Sequence, residues 1–339
     1  MTSDTKAYYE KEGYLSNSLL KLITNPVLFK QRMDGEYEKE DKEFFRLGSA
    51  VDCLLTSPET FDADFHVLGV SKPGGLLGDF VSNLPLGLEE SSPLELYQEA
   101  YDESGYKLPL ATVVTRFWNS YEGRNYYYAL HNVKEGKTAL SKDIHETALK
   151  CVDKILNTPY TREYFVSGRF DLCFQVAIYF KYRDLDFKAL LDGVVIDHES
   201  KTITPFDLKT TGYSVYTFPK VMVDLGYFRQ ASLYHYAVQQ ETSPFFELIK
   251  NGYEIKPFEF VVVETRESVS PPLVYQVSEQ DLAAGFTGGY TGNTFVKGID
   301  QLIDDYIWHR DHDLWEYPRY VYEHNGVIPT NSFKVSQGT

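Results

Sequence analysis

Three β-rich segments joined by short turns constrain this chain more than any other feature. Residues 173–182 (CFQVAIYFKY), 187–196 (FKALLDGVVI) and 202–210 (TITPFDLKT) read as a meander of consecutive strands. The second bends at Gly193, and the polar turn Asp197-His198-Glu199-Ser200 leads into the third. A long helix over about 218–240, two more strands at 257–264 and 273–277, and a final helix over about 296–315 follow. Helices, three strands, a helix, two strands and a helix make an α/β fold: a mixed central β-sheet flanked by helices.

The chain before the meander is read less sharply. Residues 14–33 form a short helix opened by Ser16 or Asn17, then a second piece after Pro26. Residues 43–57 form a helix whose apolar positions Phe45, Val51, Leu54 and Leu55 suit a buried face. Residues 70–135, rich in Gly, Pro and Ser, read as an insertion with some helix of its own, a lid or a surface loop. Residues 137–157 form a helix capped by Ser141 and ended by Pro159. The expected division is an N-terminal helical extension with its insertion, 1–135, and a core, 136–339, together one compact unit without internal repeats.

Composition bounds the function. At 339 residues, with 43% hydrophobic and 15% aromatic content, there is material for a packed core. The formal charge of −16 argues against nucleic acid, which normally meets a basic face. The acid is unevenly spread, however. Residues 181–230 hold seven Lys/Arg and seven Asp/Glu, and a bound divalent cation would make that region positive. Cys53, Cys151 and Cys173 are far apart and contain no C-x-x-C pair, which speaks for reduced thiols rather than zinc or iron–sulfur ligation. No 18-residue apolar run and no signal-peptide core appear, so a soluble cytoplasmic protein is expected.

Chemistry concentrates in LLDGVVID-HESK-TITPFDLKT. Asp207 and Lys209 stand two apart on a strand and share one face, about 7 Å apart at Cα, with Leu208 pointing the other way. Asp192 lies 15 residues earlier, on the strand that the turn brings alongside. Two carboxylates so close repel and need a cation. Hard oxygen donors without sulfur or paired histidines suit Mg²⁺. Such a site can hydrolyse phosphodiesters, with Lys209 orienting the water or neutralising developing charge. On the next helix Gln230 and Tyr234, four apart, share a face, with Arg229 and His235 adjoining. An amide and a phenol there can hold phosphate oxygens or base edges.

The ordered set Asp192-Gly193, Asp207-Leu208-Lys209-Thr210 and Gln230-x-x-x-Tyr234 resembles the PD-(D/E)XK nuclease superfamily, whose core is restriction-endonuclease-like. The likeness is to the branch of RecB-type nuclease domains and phage RecE-type (exodeoxyribonuclease VIII-like) exonucleases. It covers residues 187–238 as motifs, and LSNSLLKLITNPVLFK with FRLGSAVDCLLTSPETFDADFHV more loosely. The resemblance implies a Mg²⁺-dependent deoxyribonuclease, with Mn²⁺ as an alternative ion. It implies an exonuclease on linear duplex or single-stranded DNA ends, of phage or mobile-element origin in a bacterial host, working in recombination. It further implies a single-strand annealing partner and a homo-oligomeric ring. Related enzymes carry Gly-x-x-x-His in the early helix with the His on the metal. Here Gly48 is followed by Asp52, so Asp52, Asp192 and Asp207 are the expected ligands. Two competing readings are a non-catalytic DNA-end or protein-binding module on the same fold, motivated by the acidity and Asp52, and an endonuclease. His309 and His312, beside Asp313, could chelate as an i, i+3 pair but lack a further convergent ligand, and the segment reads as a polar helix face. Gly285–Gly292 (GFTGGYTG) lacks the context of a phosphate loop and reads as a flexible connection.

Overall fold

The computed structural model describes residues 3–36, 42–267, 270–291 and 294–328. The chain divides into two compact units: residues 1–40 with 153–339, and residues 41–152. This differs from the boundary at 135 read from the sequence, because the helix Lys142–Asn157 runs across the division.

In the first unit the sheet is mixed, as expected. Its strands are β1 (Asp171–Tyr182), β2 (Leu185–Asp197), β3 (Thr202–Thr211), β4 (Glu254–Ile255), β5 (Glu259–Glu264) and β6 (Leu273–Gln276). The order is β1-β2-β3-β5-β6, with β4 beside the start of β3. The meander β1–β2–β3 is antiparallel, β5 joins β3 in parallel, and β6 returns antiparallel. A parallel join needs a crossover, and residues 212–258 supply it with α4 (Phe218–Asp224) and α5 (Tyr227–Val238). Pro205 has no N–H for a ladder. It falls where β3 changes partner, between Thr202–Ile203 on β4 and Phe206–Thr211 on β5.

The strand β2 is kinked where the sequence suggested a bend. Phe187, Ala189 and Leu191 bury in one core cluster, and so do Val194 and Ile196, so the alternation shifts by one across Asp192–Gly193. Opposite, Gln175 of β1 has φ +51°, while the ladder keeps its register on both sides. Beyond the kink β2 and β3 part, since their pairing runs only from Gly193 to Asp197. Leu15 takes the vacated edge. Its N–H donates to the Asp186 carbonyl and its own carbonyl accepts from the Lys188 N–H, both at 2.8 Å. Gly193 is required by packing: an added Cβ would stand 2.2 Å from Cζ of Phe206. That ring is fully buried and held edge-on by Tyr164 and Phe165. Gly193→Ala should therefore destabilise the fold by about 1–3 kcal/mol through overpacking, read as a lower denaturation midpoint.

Around the sheet lie α1 (Ser3–Glu10), α2 (Asn17–Lys21), α3 (Pro26–Met33) and α6 (Ile299–His312). Ser16 caps α2 through the Leu19 N–H, and Asn25 caps α3 behind Pro26. The single helix expected over 218–240 is two, because Gly226 adopts φ +70° and ends the first. The expected helix over 137–157 begins later. Ser141 caps it, but Thr138–Leu140 form a short strand parallel to Phe65–Val67. The GFTGGYTG segment holds the end of a helix, Glu279–Thr287, and a strand, Gly289–Thr291, rather than a plain connection; its Gly292 lies outside the described residues. His309 is buried, not on a polar face. It hydrogen-bonds the Leu314 carbonyl and stacks on Trp315.

The second unit has its own core, built on Phe80, Tyr97, Phe117 and Tyr127. Its helix Glu43–Thr56 buries Ala50, Val51, Cys53 and Leu55. Phe45, expected inside, is 46% exposed. Among the described residues no helix is long and apolar enough to cross a membrane.

Candidate active site

Where the strands part, Asp192, Asp207, Lys209 and Gln230 come together, while the Tyr234 ring packs against the core beside Phe258. In the β2–β3 register Asp192 would be the next partner of Asp207 after Gly193↔Phe206. No ladder bond forms there. Instead the Asp192 carboxylate Oδ2 accepts the backbone N–H of Leu208 at 2.8 Å. A side-chain oxygen thus does the work of a missing backbone carbonyl, and it fixes the carboxylate beside β3.

Asp207 is 2% exposed, and Leu208 is buried as well. The Lys209 ammonium forms an ion pair with Asp207 Oδ2 and donates to Gln230 Oε1 at 3.1 Å. Gln230 Nε2 donates to Asp207 Oδ1 at 2.6 Å. Asp207, Lys209 and Gln230 therefore close a triangle, two corners from β3 and one from α5. The ammonium also lies 4.5 Å from the ring centre of Tyr227 and 5.7 Å from that of Phe260, where the aromatic faces favour a cation.

Burial sets the electrostatics. It pushes the Asp207 carboxyl above its ordinary range, against the opposing influence of Lys209 and Gln230. Burial alone would lower the Lys209 ammonium. The negative charge of Asp207, with Tyr227 and Asp192, outweighs it and holds the group above its usual value. Burial, with Tyr8, Asp207 and Asp192 nearby, pushes the Tyr234 phenol well above its ordinary range. It is a neutral hydroxyl at working pH, able to donate.

A hard divalent cation fits this donor set. Asp207 Oδ2 is buried against the Lys209 ammonium. A cation shared with Asp192 would relieve the charge that burial desolvates on Asp207. Asp192 and Asp207 supply carboxylate oxygens of the kind Mg²⁺ prefers. Among the described residues no group of three or more His, Cys, Asp and Glu side chains converges. Asp52 belongs to the other unit, half-buried on Glu43–Thr56, where Thr56 Oγ1 donates to its backbone carbonyl at 2.9 Å. Its service as a third ligand remains an expectation.

The neighbours of Gln230 turn elsewhere. Arg229 donates to the Lys297 carbonyl at 2.9 Å, and burial lowers its guanidinium to about 10. His235 meets Gln239 at 3.0 Å, and burial lowers it too. Two contributors were missed. Tyr227, at i−3 from Gln230 and i−7 from Tyr234, shares their helical face, so its signal was present. Glu264, at the end of β5, is buried and accepts the Val215 N–H at 2.8 Å, anchoring the loop that leaves β3. Nothing local in the sequence marks it.

Fold and site together define a mixed α/β protein with a carboxylate pair and a half-buried lysine where two strands part. No family model matches the chain, and no curated protein matches it. Among solved structures it is similar to a protein from Eubacterium rectale provisionally named an exonuclease. The two share 12% identity over 97% of this chain and 95% of the other, with a TM-score of 0.49.

Proposed function

We propose that the chain is a divalent-metal-dependent nuclease that hydrolyses phosphodiester bonds of DNA. The observation that carries this reading is the juxtaposition of Asp192 and Asp207 at the parted strands, with Lys209 and Gln230 closing on Asp207. Asp192 and Asp207 would hold Mg²⁺ or Mn²⁺. An ion held there would supply Lewis-acid polarisation of a phosphodiester and a water activated at neutral pH.

The chain's own groups do the rest. Lys209, kept protonated by its carboxylate neighbours, presents N–H donors where negative charge develops. Gln230 holds both Asp207 and Lys209 in place, so neither group must reorganise during reaction. The neutral Tyr234 hydroxyl is a donor for a phosphate oxygen or base edge. The resemblance of the motifs extends the proposal to an exonuclease on linear DNA ends in phage-type recombination, beside a single-strand annealing partner and as a ring of identical chains.

The test is digestion of end-labelled linear duplex and of closed circular plasmid, with Mg²⁺ and with chelator. The expected result is Mg²⁺-dependent release of short products from linear ends while circles stay closed. Nicked or linearised circles would mark an endonuclease. Binding without degradation in either metal would overturn the nuclease reading.

A further inference from the structure

The turn between α4 and α5 gathers two cations. The Lys21 ammonium, at the end of α2, donates to the Leu225 carbonyl at 3.1 Å. The Arg229 guanidinium packs on the next residue, since a Cβ added to Gly226 would stand 2.2 Å from its Nη2. The two groups therefore flank a single peptide link, Leu225–Gly226. Both side chains are half-buried.

Neither cation is neutralised. Lys21 satisfies one carbonyl at the C-terminal end of α4, and Arg229 satisfies that of Lys297. Those are their side-chain hydrogen bonds among the described residues, which leaves most of their N–H donors unspent. Arg229 also lies over the Phe228 ring at 4.8 Å, a contact that brings no counter-ion. No described carboxylate pairs with either group. Asp224 pairs instead with Lys220, and Asp305 with the Lys297 ammonium at 3.0 Å. The chain has 49 acidic side chains against 33 Lys and Arg, yet it places none against this pair. Burial, then the Arg229 charge, lowers Lys21, and burial lowers Arg229. Two like charges held together and partly desolvated are unfavourable until an anion joins them.

We propose that Lys21 and Arg229 form a phosphate-binding subsite separate from the carboxylate pair, with one oxyanion bridging the ammonium and the guanidinium. A guanidinium presents its donors in a plane that matches phosphate oxygens. The turn leads directly into Tyr227, whose ring lies 4.5 Å from the Lys209 ammonium. The assignment rests on the nuclease reading for the bearer of the phosphate, a DNA strand gripped at a link other than the one being cut. Inorganic phosphate offers the same chemistry, and the test separates the two sources. A grip on the backbone ignores base identity.

The test is fluorescence anisotropy with a labelled oligodeoxythymidylate over a salt series, in chelator so that nothing is cleaved. Loss of one phosphate contact on a single strand flattens the slope of log affinity against log salt by about 0.7, and lowers affinity about fivefold at 0.1 M salt. Lys21→Gln/Arg229→Gln should show that change, and Lys21→Gln alone a part of it. Arg229→Lys, which keeps the charge, should keep most of the slope. Melting curves with inorganic phosphate at constant ionic strength form the second arm. Protection of the wild type and not of the double variant, with the oligonucleotide slope unchanged, assigns the subsite to free phosphate. If the pair only ties the turn together, the variants shift melting midpoints and move neither arm, and that result overturns the subsite. Should the double variant fail to fold, Lys21→Gln, which loses one carbonyl contact, reads both arms. Digestion in Mg²⁺ keeps the two ideas apart. Cleavage by the wild type with both arms indifferent to the pair sinks the subsite alone. A pair-dependent slope without cleavage in Mg²⁺ sinks the nuclease reading alone.

Discussion

Asp207→Asn is expected to abolish metal-dependent cleavage and, at the same time, to weaken the fold. The carboxylate is the buried member of the proposed ion site, and loss of several kcal/mol of metal assistance corresponds to at least about 10³-fold in rate. The same change leaves the Lys209 ammonium, only 17% exposed, without its counter-charge. Breaking a buried pair from one side costs about 3–5 kcal/mol. The double variant Asp207→Asn/Lys209→Met should then recover much of that stability while remaining inactive. Urea denaturation of the two variants beside a cleavage assay reads both effects. A single variant that is inactive yet as stable as wild type would show that the ion pair contributes nothing to the fold.

The second large effect separates chemistry from metal binding. Lys209→Ala is expected to lower the cleavage rate by about 10²–10³-fold, the usual loss for one preorganised donor at developing charge. It should not weaken divalent-ion affinity. Removing a cation from beside Asp207 and Asp192 lifts a repulsion on the incoming ion, so affinity is expected to stay or rise. Calorimetric Mn²⁺ titration together with single-turnover digestion checks the pair of statements. Parallel loss of affinity and rate would reassign Lys209 from the reaction to the maintenance of the ligand geometry.

Much of this site was legible in the linear sequence because two short-range periods carry it. Residues two apart on a strand share a face, which joins Asp207 to Lys209. Residues four apart on a helix share a face, which joins Gln230 to Tyr234. The short turn 198–201 brings Asp192 beside β3 by connectivity alone. What escaped depends on geometry that no local pattern encodes. The kink needs Gln175 at φ +51°, a conformation that its residue type does not announce. The parting of β2 and β3 is completed by Leu15, 172 positions before its bridge partner Phe187, and such long-range pairing leaves no trace in a window of neighbours. Gly226 was visible as a glycine, yet helical periodicity on both sides masked the break it makes. His309 shows the opposite failure. It sits among charged residues in sequence, but Trp308, Trp315 and Tyr322 enclose it in space.

The most direct test is anomalous diffraction from crystals of the protein soaked in Mn²⁺. The account predicts one strong peak in coordination contact with the carboxylates of both Asp192 and Asp207, lost in Asp207→Asn. A saturating soak that puts manganese elsewhere, or leaves that position without a peak while Asp207 stays paired with Lys209, would contradict it.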